Sequence, residues 1–566
     1  MDDATINQNF DAYKNRFIEQ LWELYPGWAT EIGYHKFDSL LFVPDEAYRG
    51  KQLAFVKTHL DSLTGFSIEK LNDLNKIDFH LIEDFLKGSQ WSVEQLKAWQ
   101  WNPAEYNLCG SFSYMLGEGY DNLDNRLKSM NHKLVNVPAY YEAAKKNIQN
   151  PSTEHLQLAI DQNLGGVSVF ETDLLDSLKA SKLDDATKQS ITDGCKNAAK
   201  AVHDFADYLK NLKNDHPRSF RLGKDLYPQK FAFDIQSEYT PDQIYNAALE
   251  RKAYLQAQLA KVSDQLWEQY CGNTPKPKDT LVMIRKMIDT LSIHHTTPAE
   301  FQNTIEKQIP QLEAFIKEKD LIYLDPKKPL KVRKEPAYMA GVAGASISAP
   351  GPYDKNGNTY YNVGSLANYS KEKAESYLRE YNDYLLQILS IHEAIPGHYT
   401  QLVYSNNSPS IIKSVLGNGA MIEGWAVYGE LMMIENGYGN DKMSKSTEAS
   451  PEMWLMYYKW NLRAVCNTII DIGVHSRDMT KEQAMDLMTR EAFQQQAEAE
   501  GKWKRVTLTS VQLCSYYTGF KEICDLREEY KAKMGDKFKL KDFHEKFLSY
   551  GSSPVKYIKQ MMLNEK

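Results

Sequence analysis

The run Ile391-His392-Glu393-Ala394-Ile395-Pro396-Gly397-His398 carries the densest chemistry in the chain. Two imidazoles with a carboxylate between them are the donor set of zinc hydrolases. The rings bind the ion, and the intervening Glu takes a proton from the attacking water. The usual spacing sets the histidines four apart, on one helical face. Here they are six apart, a rotation of about 240° on a regular helix. A shared ion therefore requires a break. Pro396 lacks an amide hydrogen and its ring clashes with the carbonyl of His392 in a continued helix, while Gly397 opens conformations closed to other residues. The Pro-Gly pair is thus expected to wind out the two extra residues, at the end of a helix beginning near Lys371, and return His398 to the metal. The competing reading is a plain helix stop with His392 in the core or at a cap. It leaves the coincidence of a His-Glu pair, a break and a second His unexplained.

A catalytic zinc takes a third protein ligand and keeps one position open. Glu423, in Gly419-Ala420-Met421-Ile422-Glu423-Gly424-Trp425 on the next predicted helix, is the candidate. A carboxylate among such apolar neighbours is costly to bury unpaired, and Zn²⁺ would relieve that cost. Glu430, two turns on, lies on nearly the same face. It is either an acceptor for a ligand histidine or a surface carboxylate.

The elements that must position these groups read as helices. Apolar residues recur three and four apart over 241–267 and over roughly 6–24, 51–63, 79–87, 137–149, 185–213, 279–290 and 299–317. Thr240-Pro241 and Thr297-Pro298 look like helix starts. Near 325 the texture changes. Prolines interrupt the helices, and 340–366 reads as a short hairpin around Lys355-Asn356-Gly357-Asn358, with its edge a candidate for pairing with an extended peptide. The expected architecture is therefore mainly α and two-lobed, with a deep cleft: a helical N-terminal lobe, 1–325, and a C-terminal lobe, 326–566, holding the hairpin and the metal-site helices.

One helix, around 451–475, is apolar on most of its circumference, yet Arg463, Asn467, Asp471 and His475 fall at successive four-residue steps. A polar ridge on a buried helix needs partners. Either it faces the active site, with His475 donating to the intermediate and Arg463 orienting Asp471 or holding a substrate carboxylate, or it is an internal salt-bridge line.

Composition removes other classes. The formal charge of −8 and the absence of a long basic run argue against nucleic-acid binding. No apolar stretch is long enough to span a membrane. The six cysteines are scattered without a C-x-x-C pair, so neither a disulfide framework nor a thiolate zinc site is indicated. The polar N-terminus lacks the features of a signal peptide, which fits a cytoplasmic protein, or a periplasmic or secreted one whose export signal has been removed.

HEAIPGH, EGWAVYGE, the DIGVH and SYYTG segments and DFHEKFLSYGSSP together resemble a bacterial family known as domain of unknown function 885. That family in turn resembles gluzincin metallopeptidases of the carboxypeptidase Taq type. The resemblance implies a helical metallopeptidase-like fold and hydrolysis of short or unfolded peptides. Zn²⁺ would be held by His392, His398 and Glu423, with Glu393 as general base and then acid. It also points to Tyr516 as the oxyanion donor, with Tyr517 adjacent as the alternative. The same groups could hydrolyse another amide or an ester, and a peptide-binding scaffold without catalysis is the remaining class. No motif separates removal of terminal residues from internal cleavage.

Overall fold

The structure, a computed structural model, describes residues 2–335, 345–354, 358–440 and 447–564. Among them the chain is mainly helical, with a single three-stranded sheet. It divides into two compact units, Met1–Phe220 with Pro350–Asn356, and Arg221–Ala349 with Gly357–Lys566. The boundary falls at Phe220–Arg221 rather than at the 325/326 change of texture. The prolines near 326 mark the entry to a sheet inside the second unit. The helices that precede them pack against the C-terminal ones and so belong with them.

In the first unit, α1 (Asp3–Leu24), α2 (Glu46–Leu63) and α3 (Asp73–Trp91) pack together. Each begins at an Asp or Asn whose side chain accepts a backbone N–H of the first turn: Asp2 from Thr5, Asp45 from Tyr48 and Asn72 from Asn75. The buried Lys14 ammonium is neutralised by Asp78 at 2.7 Å. A second core, including Phe112, Tyr141, Phe170 and Phe205, gathers around α4 (Asp185–Lys210).

The second unit is built on two long helix pairs. α5 (Pro241–Cys271) starts at Thr240 with a reciprocal capping box to Gln243, as the Thr-Pro signal predicts. The other Thr-Pro signal is offset. Thr297 closes a turn on the Glu300 N–H, and α6 (Phe301–Lys319) begins after it. The sheet has the order β1-β3-β2, from β1 (Leu330–Lys334), β2 (Ala345–Ser348) and β3 (Thr359–Val363). β2 and β3 form the expected antiparallel pair, while β1 joins β3 in parallel. Residues 340–344 and Lys355, Asn356 and Gly357 of the predicted turn lie outside the described residues. β3 is flanked on both sides, so its edge is already paired. The open edges belong to β1 and β2.

The helix expected from Lys371 is two: α7 (Lys371–Glu380) and α8 (Asp383–Glu393). Asn382 ends one and caps the other by accepting from the Tyr384 and Leu385 N–H groups. There follow α9 (His398–Asn406), α10 (Gly419–Glu435), α11 (Pro451–Ser476), α12 (Gln496–Leu508), α13 (Ser515–Met534) and α14 (Leu540–Ser549). α5 runs along α11 and α10 along α13. α11 is buried on nearly all sides, which is why its apolar residues cover most of its circumference.

Candidate metal centre

α8 ends at Glu393, and α9 begins at His398 with Gly397 as its cap. The break that the spacing demands is therefore present. Gly397 is needed for space: a Cβ there would lie 1.8 Å from the His392 carbonyl oxygen. The Pro396 carbonyl is held by the Trp425 indole N–H at 2.8 Å, which ties the break to α10. As a result the His392 and His398 rings sit 4.8 Å apart, perpendicular to one another.

Glu423 meets them from α10. Its Oε2 lies 3.6 Å from His392 Nε2 and 3.4 Å from His398 Nε2. It is partly buried, and its Oε2 is shielded from solvent with no hydrogen-bond partner among the described residues. Donors about 2.0–2.2 Å from a tetrahedral zinc stand roughly 3.3–3.6 Å from each other, so these separations fit one ion. The three residues form the one His/Cys/Asp/Glu group among the described residues whose donor atoms converge in this way, all within 4.8 Å.

Behind the rings, His392 Nδ1–H donates to Glu430 Oε1 at 2.7 Å, so Nε2 is the nitrogen that faces Glu423 and would bind an ion. Glu430 is fully buried and also accepts from the Trp460 indole at 3.0 Å. It is thus an acceptor for the histidine and not a surface group.

Charge follows this geometry. Burial raises Glu393 above the usual carboxylate range, against the pull of His398 and His392, and so makes it a better base. Burial likewise raises Glu430 despite the His392 hydrogen bond. Glu423 goes the other way: burial opposes its charge, but the adjacent His398 and His392 rings hold it far below the ordinary value. For His392, burial is outweighed by Glu423 and Glu430, and the ring is raised well above its usual range. Three carboxylates around two imidazoles make a pocket that favours a cation.

α13 brings in Tyr516. Gly424 of α10 and Gly519 of α13 face each other so closely that a Cβ on Gly424 would lie 2.3 Å from the Gly519 carbonyl carbon, and one on Gly519 1.7 Å from the Ala420 oxygen. The contact locks Glu423, next to Gly424, against Tyr516, one turn before Gly519. The Tyr516 ring stacks at 6.4 Å on His392, and its hydroxyl accepts from Arg505 of α12 at 3.2 Å. Tyr517 points elsewhere, donating to the Ala247 carbonyl at 3.0 Å.

Three residues of the polar ridge of α11, Arg463, Asp471 and His475, are tied up internally, while Asn467 Oδ1 is buried without a partner among the described residues. Arg463 is ion-paired with Glu498 of α12. Asp471 accepts from the Tyr227 hydroxyl at 2.6 Å and from the Val511 and Leu513 N–H groups at 2.8 and 3.3 Å. His475 donates from Nε2 to the Val506 and Thr509 carbonyls and stacks on Tyr227. The internal reading of the ridge is therefore the one its contacts favour. Val511 has φ of +71°, a strained conformation for a β-branched residue. Asp471 holds that turn just ahead of Tyr516.

Three neighbours of the site carry no sequence signal. Tyr361 of β3 is fully buried, with its hydroxyl in the field of Glu393. Arg505 and Lys502 come from α12. None stands at a recognisable spacing from the His-Glu run; only the tertiary structure unites them.

The chain belongs to the family described as "Bacterial protein of unknown function (DUF885)", whose model matches residues 26–562. Among solved structures it is similar to a "putative lipoprotein of unknown function" from Shewanella oneidensis, at 52% identity and a TM-score of 0.89, covering 98% of this chain and 100% of that one. A second, from Colwellia psychrerythraea and also described as a lipoprotein, shares the fold at 17% identity and a TM-score of 0.78, with 99% of each chain covered. No curated protein matches. Among the described residues no helix is long and apolar enough to cross a membrane.

Proposed function

We propose that the protein is a zinc-dependent peptidase acting on short or unfolded peptides in the cleft of a gluzincin-like fold. The observation that carries this reading is the convergence of His392, His398 and Glu423 on one point, 3.4–3.6 Å apart through Glu423 Oε2, with Glu393 beside them. A bound zinc would polarise the scissile carbonyl and make water a nucleophile near neutral pH. Glu393 takes the water proton and passes it to the departing amine, a task suited to a buried carboxylate of raised basicity. The Tyr516 hydroxyl, with Arg505 donating to it, supplies the proton donor for the developing oxyanion. Glu430 and Trp460 fix the His392 ring. The lipoprotein description of the relatives supports export, so the peptides would be met outside the cytoplasm.

Protein purified without added metal should contain close to one zinc per chain and cleave unstructured peptides. A chelator should abolish cleavage, and zinc should restore it. Glu393→Gln should keep the metal and lose about 10²–10⁴-fold in turnover. Undiminished cleavage by that variant would refute the assignment.

A further inference from the structure

α12 carries Glu498, Lys502 and Arg505 at four- and three-residue steps, so they share one face. Both ends of that face are engaged: Glu498 pairs with Arg463, and Arg505 donates to Gln512 at 2.6 Å and to the Tyr516 hydroxyl at 3.2 Å. Between them Lys502 is only 6% exposed, and among the described residues its ammonium makes no hydrogen bond or ion pair. The charges around it are those of Arg463, Glu498, Arg505 and Glu423. Glu498 is taken by Arg463, and Glu423 by the two histidines. What is left is a buried cation with no anion of its own, on the face that leads to Tyr516 and the metal centre.

Keeping such a group charged in a protein interior is costly. Burial, reinforced by Arg463 and Arg505, pulls Lys502 down to about 7 against the opposing Glu498 and Glu423. An incoming carboxylate would reverse that cost by supplying a charge-assisted hydrogen bond where the protein supplies none.

We propose that Lys502, flanked by Arg505, is a subsite for a free carboxylate of the peptide substrate, next to the metal centre. The proposal rests on the peptidase reading and adds its substrate class: peptides presenting a carboxylate, at the chain terminus or on an acidic side chain. The Lys502 ammonium takes it as a point charge, and Arg505 keeps Tyr516 at the other end of the same face.

The test is calorimetric binding to zinc-loaded Glu393→Gln protein of three versions of one short peptide: a free acid without acidic side chains, its C-terminal amide, and that amide with one Glu added. The terminal acid or the Glu-bearing amide should bind at least about tenfold tighter than the neutral amide, and which of them gains identifies the source. Lys502→Met, with its folding checked by thermal melting, should bring the difference to within about twofold. Equal affinity for all three peptides, or an undiminished preference in Lys502→Met, would overturn the subsite. If the preference is present and depends on Lys502, but the wild-type protein cleaves none of the peptides, the subsite stands and the peptidase reading falls.

Discussion

Glu430 makes two hydrogen bonds that matter more than its charge. It accepts from His392, which fixes that ring's tautomer, and from Trp460, which fixes the carboxylate. Glu430→Leu removes the acceptor that His392 Nδ1–H needs. Zinc affinity should fall about 10–100-fold with the fold retained, as measured by competition with a chromophoric chelator; unchanged affinity would detach Glu430 from the site. At this scale the sequence was legible wherever a residue sits inside a patterned run. His392, Glu393, His398, Glu423 and Glu430 all do. Tyr361, Lys502 and Arg505 do not, because a strand and a separate helix bring them in. His475 and Asp471 show where spacing leaves two readings open. Their four-residue steps correctly mark a buried polar ridge, but a spacing rule cannot say which way the ridge faces, and it faces the carbonyls and amides of the 506–513 segment.

Elements fix the site through a few close approaches. Gly397 lets α8 turn into α9, and the Gly424–Gly519 contact lets α10 and α13 approach closely enough to set Glu423 beside Tyr516. Both glycines of that contact lie in motifs visible in the sequence, yet their pairing is a tertiary fact. α14 braces α10 from the other side. His544 is buried, its Nδ1–H donating to the Leu321 carbonyl and its Nε2 accepting from the Tyr428 hydroxyl, so the neutral ring is fully used. Burial pushes His544 down to about 4 from an ordinary value near 6.5. A depressed histidine contributes stability above its unfolded value and loses it as the pH falls towards its folded one. The melting temperature should therefore decline from pH 6.5 to 4, with this residue contributing about 1.4 kcal/mol per pH unit. His544→Gln should make that decline shallower; an unchanged slope would mean the ring is not held neutral. Helix starts were legible when a capping box completed them, as at Thr240. They slipped when the Thr closed a separate turn first, as at Thr297. The split of the 371–393 segment at Asn382 was missed because one Asn in a polar stretch is a weak stop signal.

For the whole molecule, composition and periodicity led to a mainly helical chain with a small sheet, and the coordinates agree. The division into units was harder to read. Prolines near 326 mark a strand entry, whereas the boundary at Phe220–Arg221 carries no compositional break. Every residue assigned here to metal binding, catalysis or carboxylate recognition comes from the second unit, between Tyr361 and Tyr516. The central claim, that three of them hold one zinc ion, is tested most directly by diffraction from zinc-loaded crystals at the zinc absorption edge. One anomalous peak is predicted, about 2.0–2.2 Å from His392 Nε2, His398 Nε2 and a Glu423 carboxylate oxygen. A zinc-replete crystal with no peak there, or with its peak on other side chains, would contradict the account.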